Sequence, residues 1–354
     1  MKILVINPGS TSTKIALFLD DKKIIDETIR HYADELLAYE EIPLQKGFRF
    51  QAILDVLAAK GYELSEIDAI AARGGIIKPI ESGTYEINEA MVADLNGSRA
   101  ALHASCLAGL IAYELKQKYQ IPAYVVDPVV VDELSDIARL TGTPDVERVS
   151  VFHALNQKAV ARQAAAQLGK AYEELNLVVA HLGGGISVAA HEKGRVVDVN
   201  NAISGEGPFS PERTGTLAPL QVAYLIFDQG YTLEDIKNLT SKKGGLMAYL
   251  GTNDMRLVLA QIEAGNQEAK LVFEAMAYQV AKEIGAMAAA LGGAVDSVVL
   301  TGGLAYSEAF VKAITDRIAF IGNVQLYPGE FELEALAGSV RDVMLGKKLA
   351  KTYH

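Results

Sequence analysis

One structural opening occurs twice in this chain, roughly half a chain apart. The first copy runs Lys2-Ile-Leu-Val-Ile-Asn7-Pro-Gly9-Ser-Thr and the second Asn176-Leu-Val-Val-Ala-His181-Leu-Gly183-Gly-Gly185. Each is a short apolar strand that ends on a polar residue and enters a glycine turn. Each returns as a second apolar strand, Ile15 to Leu19 or Ile186 to Ala190, and then passes a charged turn into a third short strand. Self-similarity of this kind predicts two similar domains, each beginning with the same unit. The turn-rich Thr141-Gly142-Thr143-Pro144 marks a boundary, and Tyr327-Pro328-Gly329 marks a return to the first domain. The expected division is 1–148 plus 330–354 for one domain and 149–329 for the other.

Further apolar runs read as strands at Ile67 to Ala71, Ala123 to Val126, Val298 to Leu300 and Val324 to Leu326. Helical patterns cover Leu102 to Lys118, Phe152 to Leu168 and Gln267 to Leu291, the last closed by Gly292-Gly293. Strands and helices mixed in this way predict a layered α/β protein, and 354 residues suit about two domains.

Composition removes several classes of function. The formal charge is −11 with no block of five or six basic residues, which argues against a nucleic-acid surface. A single cysteine, Cys106, leaves no disulfide framework and no cysteine cluster for zinc, and fits a reducing compartment. Asn7-Pro8-Gly9 interrupts the first apolar run too early for a signal peptide, and no uncharged apolar run reaches membrane-spanning length. A soluble cytoplasmic protein is the expectation.

Three glycine turns follow strands. In Asn7-Pro8-Gly9-Ser10-Thr11-Ser12-Thr13-Lys14, backbone N–H groups and hydroxyls could meet phosphate oxygens, although an ordinary hairpin has the same composition. His181-Leu182-Gly183-Gly184-Gly185 costs conformational entropy that close approach of a ligand would explain, as would a tight hairpin. Thr301-Gly302-Gly303 could pass close to a ribose or phosphate. Neither a P-loop nor a Gly-x-Gly-x-x-Gly string occurs. Arg73 and Arg213, both flanked by glycines, offer planar forks for carboxylate or phosphoryl oxygens. Asp127 ends a strand, where its carboxylate could hold magnesium or cap the next turn.

In order along the whole chain, Asn-x-Gly-Ser-x-Ser-x-Lys, Phe152-His153, His-Leu-Gly-x-Gly, Glu212-Arg213-Thr214-Gly215, Asn253-Asp254-Met255-Arg256 and Thr301-Gly302-Gly303 resemble the acetate and butyrate kinase family. The strings Asn-Pro-Gly-Ser-Thr-Ser-Thr-Lys and Ala-His-Leu-Gly-Gly-Gly-Ile-Ser are most similar to its butyrate and branched-chain fatty-acid kinases. The resemblance implies duplicated actin-like (ribonuclease H-like) domains with a nucleotide cleft between them. It implies ATP-dependent phosphorylation of butanoate to butanoyl phosphate and ADP, by direct in-line transfer, with Mg2+ and a homo-oligomer of at least two chains. Arg73, His153, Arg213 and Asp127 would be catalytic. Asn7, Ser10, Ser12, Lys14, His181, Gly183, Gly184, Gly185, Asp254, Met255, Arg256, Gly302 and Gly303 would bind the nucleotide. Asn7, Asp127 and Glu334, or else Glu332, would serve the metal, and Phe152 would touch the acyl chain. His31, His103, His191 and His354 have no assigned role.

Three segments depart from the acetate kinase pattern: Ala72-Arg73-Gly74-Gly75, Phe152-His153-Ala154-Leu155-Asn156-Gln157, and Gly184 where that pattern has asparagine. They imply a different acyl pocket. Isobutyrate, isovalerate and propionate are alternative substrates. A sugar kinase, with Asp127 as base, and a non-catalytic ATPase of the same fold are the competing functions.

Overall fold

Two sheets, each built from the repeated opening, organise the chain. The computed structural model describes residues 1–39, 41–97 and 104–354. Leu102 and His103, the expected start of one helix and a histidine without a role, lie outside the described residues. By internal contacts the chain divides into two compact units, Met1–Val131 with Phe331–His354, and Asp132–Glu330.

In the first unit, β1 (Lys2–Pro8), β2 (Ser12–Leu19) and β3 (Lys22–Arg30) form an antiparallel meander, joined by β4 (Ala69–Arg73), β5 (Thr84–Glu86) and β6 (Ala123–Val126). In the second, β7 (Asn176–Leu182), β8 (Ile186–Glu192) and β9 (Arg195–Val199) form the same meander, followed by β10 (Ser297–Gly302) and β11 (Val324–Pro328). A last short strand, β12 (Lys351–Thr352), returns to pair with β5. The seven-stranded order is β12-β5-β6-β4-β1-β2-β3 and the five-stranded order β11-β10-β7-β8-β9.

The five strands common to both sheets therefore run in one topology. β1, β4 and β6 are parallel neighbours, as are β7, β10 and β11. Even the irregularities repeat, since register shifts occur at Leu17/Phe18 and at Ala190/His191. All ten strands read from the sequence are present; the two-residue β12 and three-residue β5 are too short for an alternation to mark. The helix Gln267–Ala290 buries Val272, Met276, Val280, Ile284 and Met287 along one stripe. Gly292 and Gly293 then take φ of +64° and +78°, the left-handed values that end a helix at little cost for glycine.

Both units place polar residues at the carboxyl ends of their parallel strands, the edge where open α/β sheets bind ligands. Asn7 and His181 hold the same place in the repeat, each two residues before the first glycine of its turn.

Candidate active site

In the first unit, the ends of β1 and β4 bring Asn7 beside Arg73, and the helix Glu332–Met344 delivers Glu332 to both. Asn7 Nδ2 donates to one Glu332 oxygen at 2.9 Å, and the Arg73 guanidinium lies 3.1 Å from the other. Arg73 also donates to Asn7 Oδ1 at 3.2 Å. Glu332 is buried, so its charge needs this neutralising partner. Glu334, the carboxylate expected beside Asn7, is elsewhere: it accepts from Lys23 at 3.0 Å on an exposed surface. Two residues along a helix are about 200° apart around its axis, so only one of the pair can face Asn7. Lys23 also pairs with Asp26, and Lys14 lies 3.7 Å from that same Asp26.

The glycines after Arg73 have a packing reason. A Cβ on Gly74 would collide with Pro128 and Val125, and one on Gly75 with Cys106. Asp127, the residue after β6, has φ +38°, a region aspartate enters more readily than most side chains. Its Oδ1 accepts from Ser82 Oγ at 2.6 Å and from the Gly83 N–H at 2.8 Å.

Ser10 lies in the first turn and Ser12 opens β2, and an unforeseen residue organises this turn from beneath. Arg49, fully buried in the helix Lys46–Ala59, donates to the carbonyls of Gly9, Ser10 and Ser12 at 2.8–2.9 Å and to Gln45 Oε1. Three carbonyls of the turn are thereby drawn inward. Burial pulls the guanidinium down to about 10, which leaves it charged at neutral pH. The one signal in the sequence is a lone charge inside Phe48-Arg49-Phe50.

In the second unit, His153 precedes the helix Ala154–Gln167 and stacks on His181, with ring centroids 3.8 Å apart and planes within 7°. Gly183, Gly184 and Gly185 join β7 to β8, and none has a positive φ. What demands glycine at Gly185 is space, because the Arg213 guanidinium lies where a Cβ would stand. Ser210 Oγ donates to the Gly184 carbonyl at 2.5 Å, and Asn253 Nδ2 to Glu212 at 2.6 Å. Arg213 also donates to the Ala202 carbonyl, while its buried Nε has no hydrogen-bond partner. Burial lowers its pKa against the opposing pull of Glu212. A buried guanidinium with an unused donor is suited to receive an anion.

Asp254 caps the helix Met255–Glu263 and pairs with Arg256, which holds its carboxyl at about 2. With Met255, Gly303, Leu304 and Tyr306 these residues line a cavity of about 800 Å³, within the size range of small-molecule sites. Gly302 lies against the Leu182 backbone at φ +92°, where no Cβ would fit. Phe152 is buried. The sequence alone did not mark Asn156, Gln157 or Ser187 as site residues, yet their side chains bond directly to His181, His191 and His153.

No helix among the described residues is long and apolar enough to cross a membrane. Comparison with solved structures finds the same fold in acetate kinase from Porphyromonas gingivalis, at 23% identity over 98% of this chain and 100% of that one, TM-score 0.80. A propionate kinase from Francisella tularensis matches at 22% identity over 95% and 98%, TM-score 0.78. Acetate kinase from Entamoeba histolytica matches at 20% identity over 96% and 99%, also at 0.78. The model of the acetokinase family matches residues 145–327, more than half of the sequence and the stretch that carries both histidines, the glycine turn and Arg213, and the chain therefore belongs to the acetokinase family of carboxylate kinases.

Proposed function

We propose that the chain is a butyrate kinase that reversibly transfers the γ-phosphoryl group of ATP to butanoate, giving butanoyl phosphate and ADP, in the cytoplasm and with Mg2+. The observation that carries this reading is the engagement of Asp127. A hydroxyl acceptor needs a carboxylate base, whereas a carboxylate is ionised at neutral pH and attacks without one. The Asp127 oxygen that accepts from Ser82 and Gly83 orders a turn, which favours the carboxylate acceptor over a sugar.

A butanoate oxygen forms the new bond to phosphorus as the bond to the ADP oxygen breaks. Catalysis is then positioning and charge stabilisation. In this reading Arg73 and Arg213 bind acyl carboxylate and transferring phosphoryl oxygens, and His153 donates to the latter. His181, the Gly183–Gly185 turn and the Gly9–Ser12 turn with Ser10, Ser12 and Lys14 serve the phosphates. Asp254, Met255, Arg256, Gly302 and Gly303 serve the nucleoside.

Mg2+ would supply Lewis-acid neutralisation of phosphate charge. Asn7, Glu332 and Asp127 would serve it through water, because both Glu332 oxygens and Asn7 Oδ1 are already engaged with Asn7 Nδ2 and Arg73 and Mg2+ keeps several waters beside substrate phosphates. Among the described residues no group of three or more acidic, histidine or cysteine side chains is arranged to hold a metal, so an all-protein cage is not part of the proposal. Butanoate rather than acetate is supported by the departures from the acetate kinase pattern at Ala72 and Gly184. Self-association is supported by the helix Pro219–Phe227, which buries none of its residues and exposes Leu220, Tyr224 and Phe227.

The test is ATP- and magnesium-dependent acyl hydroxamate formation with acetate, propionate, butyrate, isobutyrate, valerate and isovalerate. One methylene in an apolar pocket is worth about 1–3 kcal/mol, enough to rank the acids. A maximum at butyrate supports the proposal; a maximum at another acid reassigns the substrate, and no hydroxamate from any acid overturns it.

A further inference from the structure

Two buried hydrogen-bond relays end on the stacked histidines, and their direction can be followed bond by bond. The first begins at His191, fully buried between Tyr172 and Gln157. Gln157 Nε2 faces the Ser187 carbonyl at 3.0 Å, which accepts only, so that atom is the amide nitrogen. Gln157 Oε1 then faces His191 Nε2 at 3.0 Å and requires a proton there. With its proton on Nε2, His191 accepts at Nδ1 from the Tyr172 hydroxyl at 2.7 Å. Its neutrality agrees with burial, which holds its pKa well below the ordinary value.

The second amide proton of Gln157 goes to Ser187 Oγ at 2.8 Å, and the backbone N–H of His153 also points at that oxygen. Ser187 Oγ therefore has its own proton to give, and it lies 2.8 Å from His153 Nδ1. His153 accepts at Nδ1 and carries its proton on Nε2.

The relay beneath His181 is independent and ends the same way. Thr301 Oγ donates to the Gly329 carbonyl at 3.1 Å and so accepts from Asn156 Nδ2 at 3.2 Å. The remaining proton of that amide points at His181 Nδ1, 2.9 Å away. His181 thereby accepts at Nδ1 and carries its proton on Nε2, which lies 3.9 Å from the Glu330 carboxylate.

We infer that Ser187 and Asn156 are positioning residues that lock His153 and His181 as a stacked pair of neutral Nε2–H donors, a fixed array for the oxygens of the transferring phosphoryl group. The assignment deepens the carboxylate kinase reading and rests on it for what the donors meet. Two parallel rings at 3.8 Å repel if both are charged, so the stack disfavours a doubly protonated pair. Preorganised donors of this kind need no rearrangement as charge develops, and a histidine held in the wrong tautomer can cost orders of magnitude in rate. Neither histidine then acts as a proton-transfer group, which a carboxylate nucleophile does not require.

The full chain labelled with 15N-histidine reports the tautomers directly through long-range 1H–15N correlations, and the six histidines are assigned by single substitution. At pH 7, His153 and His181 are each expected as neutral rings with Nε2 protonated. In Ser187→Ala, His153 should exchange between tautomers while His181 stays fixed. Its kcat should fall roughly 10- to 100-fold, less than complete loss of such a donor, with KM changed less than about twofold. Asn156→Asp sets an acceptor where a donor stood and should move the His181 proton to Nδ1 without disturbing His153. An Nδ1–H or imidazolium form of His153 in the unsubstituted protein would overturn the inference, and that spectrum decides even if a variant does not fold. So would an unchanged His153 tautomer and kcat in Ser187→Ala. A chain that phosphorylates no acid yet shows both Nε2–H rings would sink the carboxylate kinase reading and leave the donor array standing.

Discussion

The Asn7 side-chain amide donates to Glu332 at 2.9 Å, a bond between residues 325 positions apart. Glu332 also carries the counter-charge of Arg73, so one buried carboxylate orients both groups at the ends of β1 and β4. Glu332→Gln keeps the shape and removes the charge. It should lower kcat/KM about 10- to 100-fold and raise the Mg2+ concentration needed for half-maximal rate, as loss of a group that orients metal and substrate ligands does. Glu334→Gln, which touches only the Lys23 surface pair, should stay within about twofold of the unsubstituted protein. Magnesium titrations of hydroxamate formation for the two variants decide; equal effects would detach Glu332 from the site.

The glycine turn after β7 offers a steric contrast one residue apart. Gly185→Ala places a methyl group where the Arg213 guanidinium lies, whereas a Cβ on Gly184 has its nearest neighbour at 3.4 Å, the Glu212 carboxylate. Gly185→Ala should therefore cut kcat by about 100-fold, the scale of losing one charge-stabilising donor, and Gly184→Ala by less than about fivefold. Steady-state rates beside circular dichroism separate this from unfolding.

Removal of Arg49 should be costly although it lies beneath the turn and not at its surface. Arg49→Ala leaves the carbonyls of Gly9, Ser10 and Ser12 without their buried donor, and each such group costs ~1–3 kcal/mol. A loss of at least ~3 kcal/mol in urea unfolding is expected, with a raised KM for ATP where the variant remains folded. A loss under ~1 kcal/mol would mean that water replaces the guanidinium.

Acid stability follows from the buried histidines. His191 is held neutral by burial and by the nearby Lys158 and Arg162, well below 6.5, and its ring otherwise faces Tyr172 and Gln157. Unfolded, it takes up a proton below pH 6.5; folded, it does not. The unfolded state then binds more protons, so stability is full above about pH 6.5 and falls as pH drops, by up to about 1.4 kcal/mol per pH unit for one group. His31, lowered by burial and by Arg49, adds a term of the same sign. Urea midpoints from pH 7.5 to 5.5 should fall for the unsubstituted protein, and His191→Gln should flatten the slope by one proton. Parallel slopes would remove His191 from the account.

How far the sequence reaches depends on whether a feature repeats or is local. The two sheets were legible because strand, turn and strand recur with the same polarity at Asn7 and His181. The glycines of the second turn stood out in the sequence but their cause did not: Gly185 answers to a guanidinium 28 residues further along the chain, and Gly74 to Pro128. Which of Glu332 and Glu334 faces Asn7 is a matter of helix phase set by packing of Leu333, Leu336 and Val340, and a two-residue interval does not reveal it. Arg49 and Ser187 were missed for a shared reason. Each acts from a buried position through a bond to a distant segment, and beyond the charge set between Phe48 and Phe50 neither run departs from an ordinary helix or strand.

The last two dozen residues complete the unit that the first residues begin. The helix Glu332–Met344 packs against β1 and β4, and β12 pairs with β5, after 199 residues of the other unit, Asp132–Glu330, have intervened. At roughly 5–20 residues per second on the ribosome, β1 emerges and then waits about 10–40 s while that insertion is made. The order of birth and the order of completion are inverted: the contiguous unit has all its strands in hand as it leaves the ribosome, and β1, made before it, gains its Glu332 partner only after it.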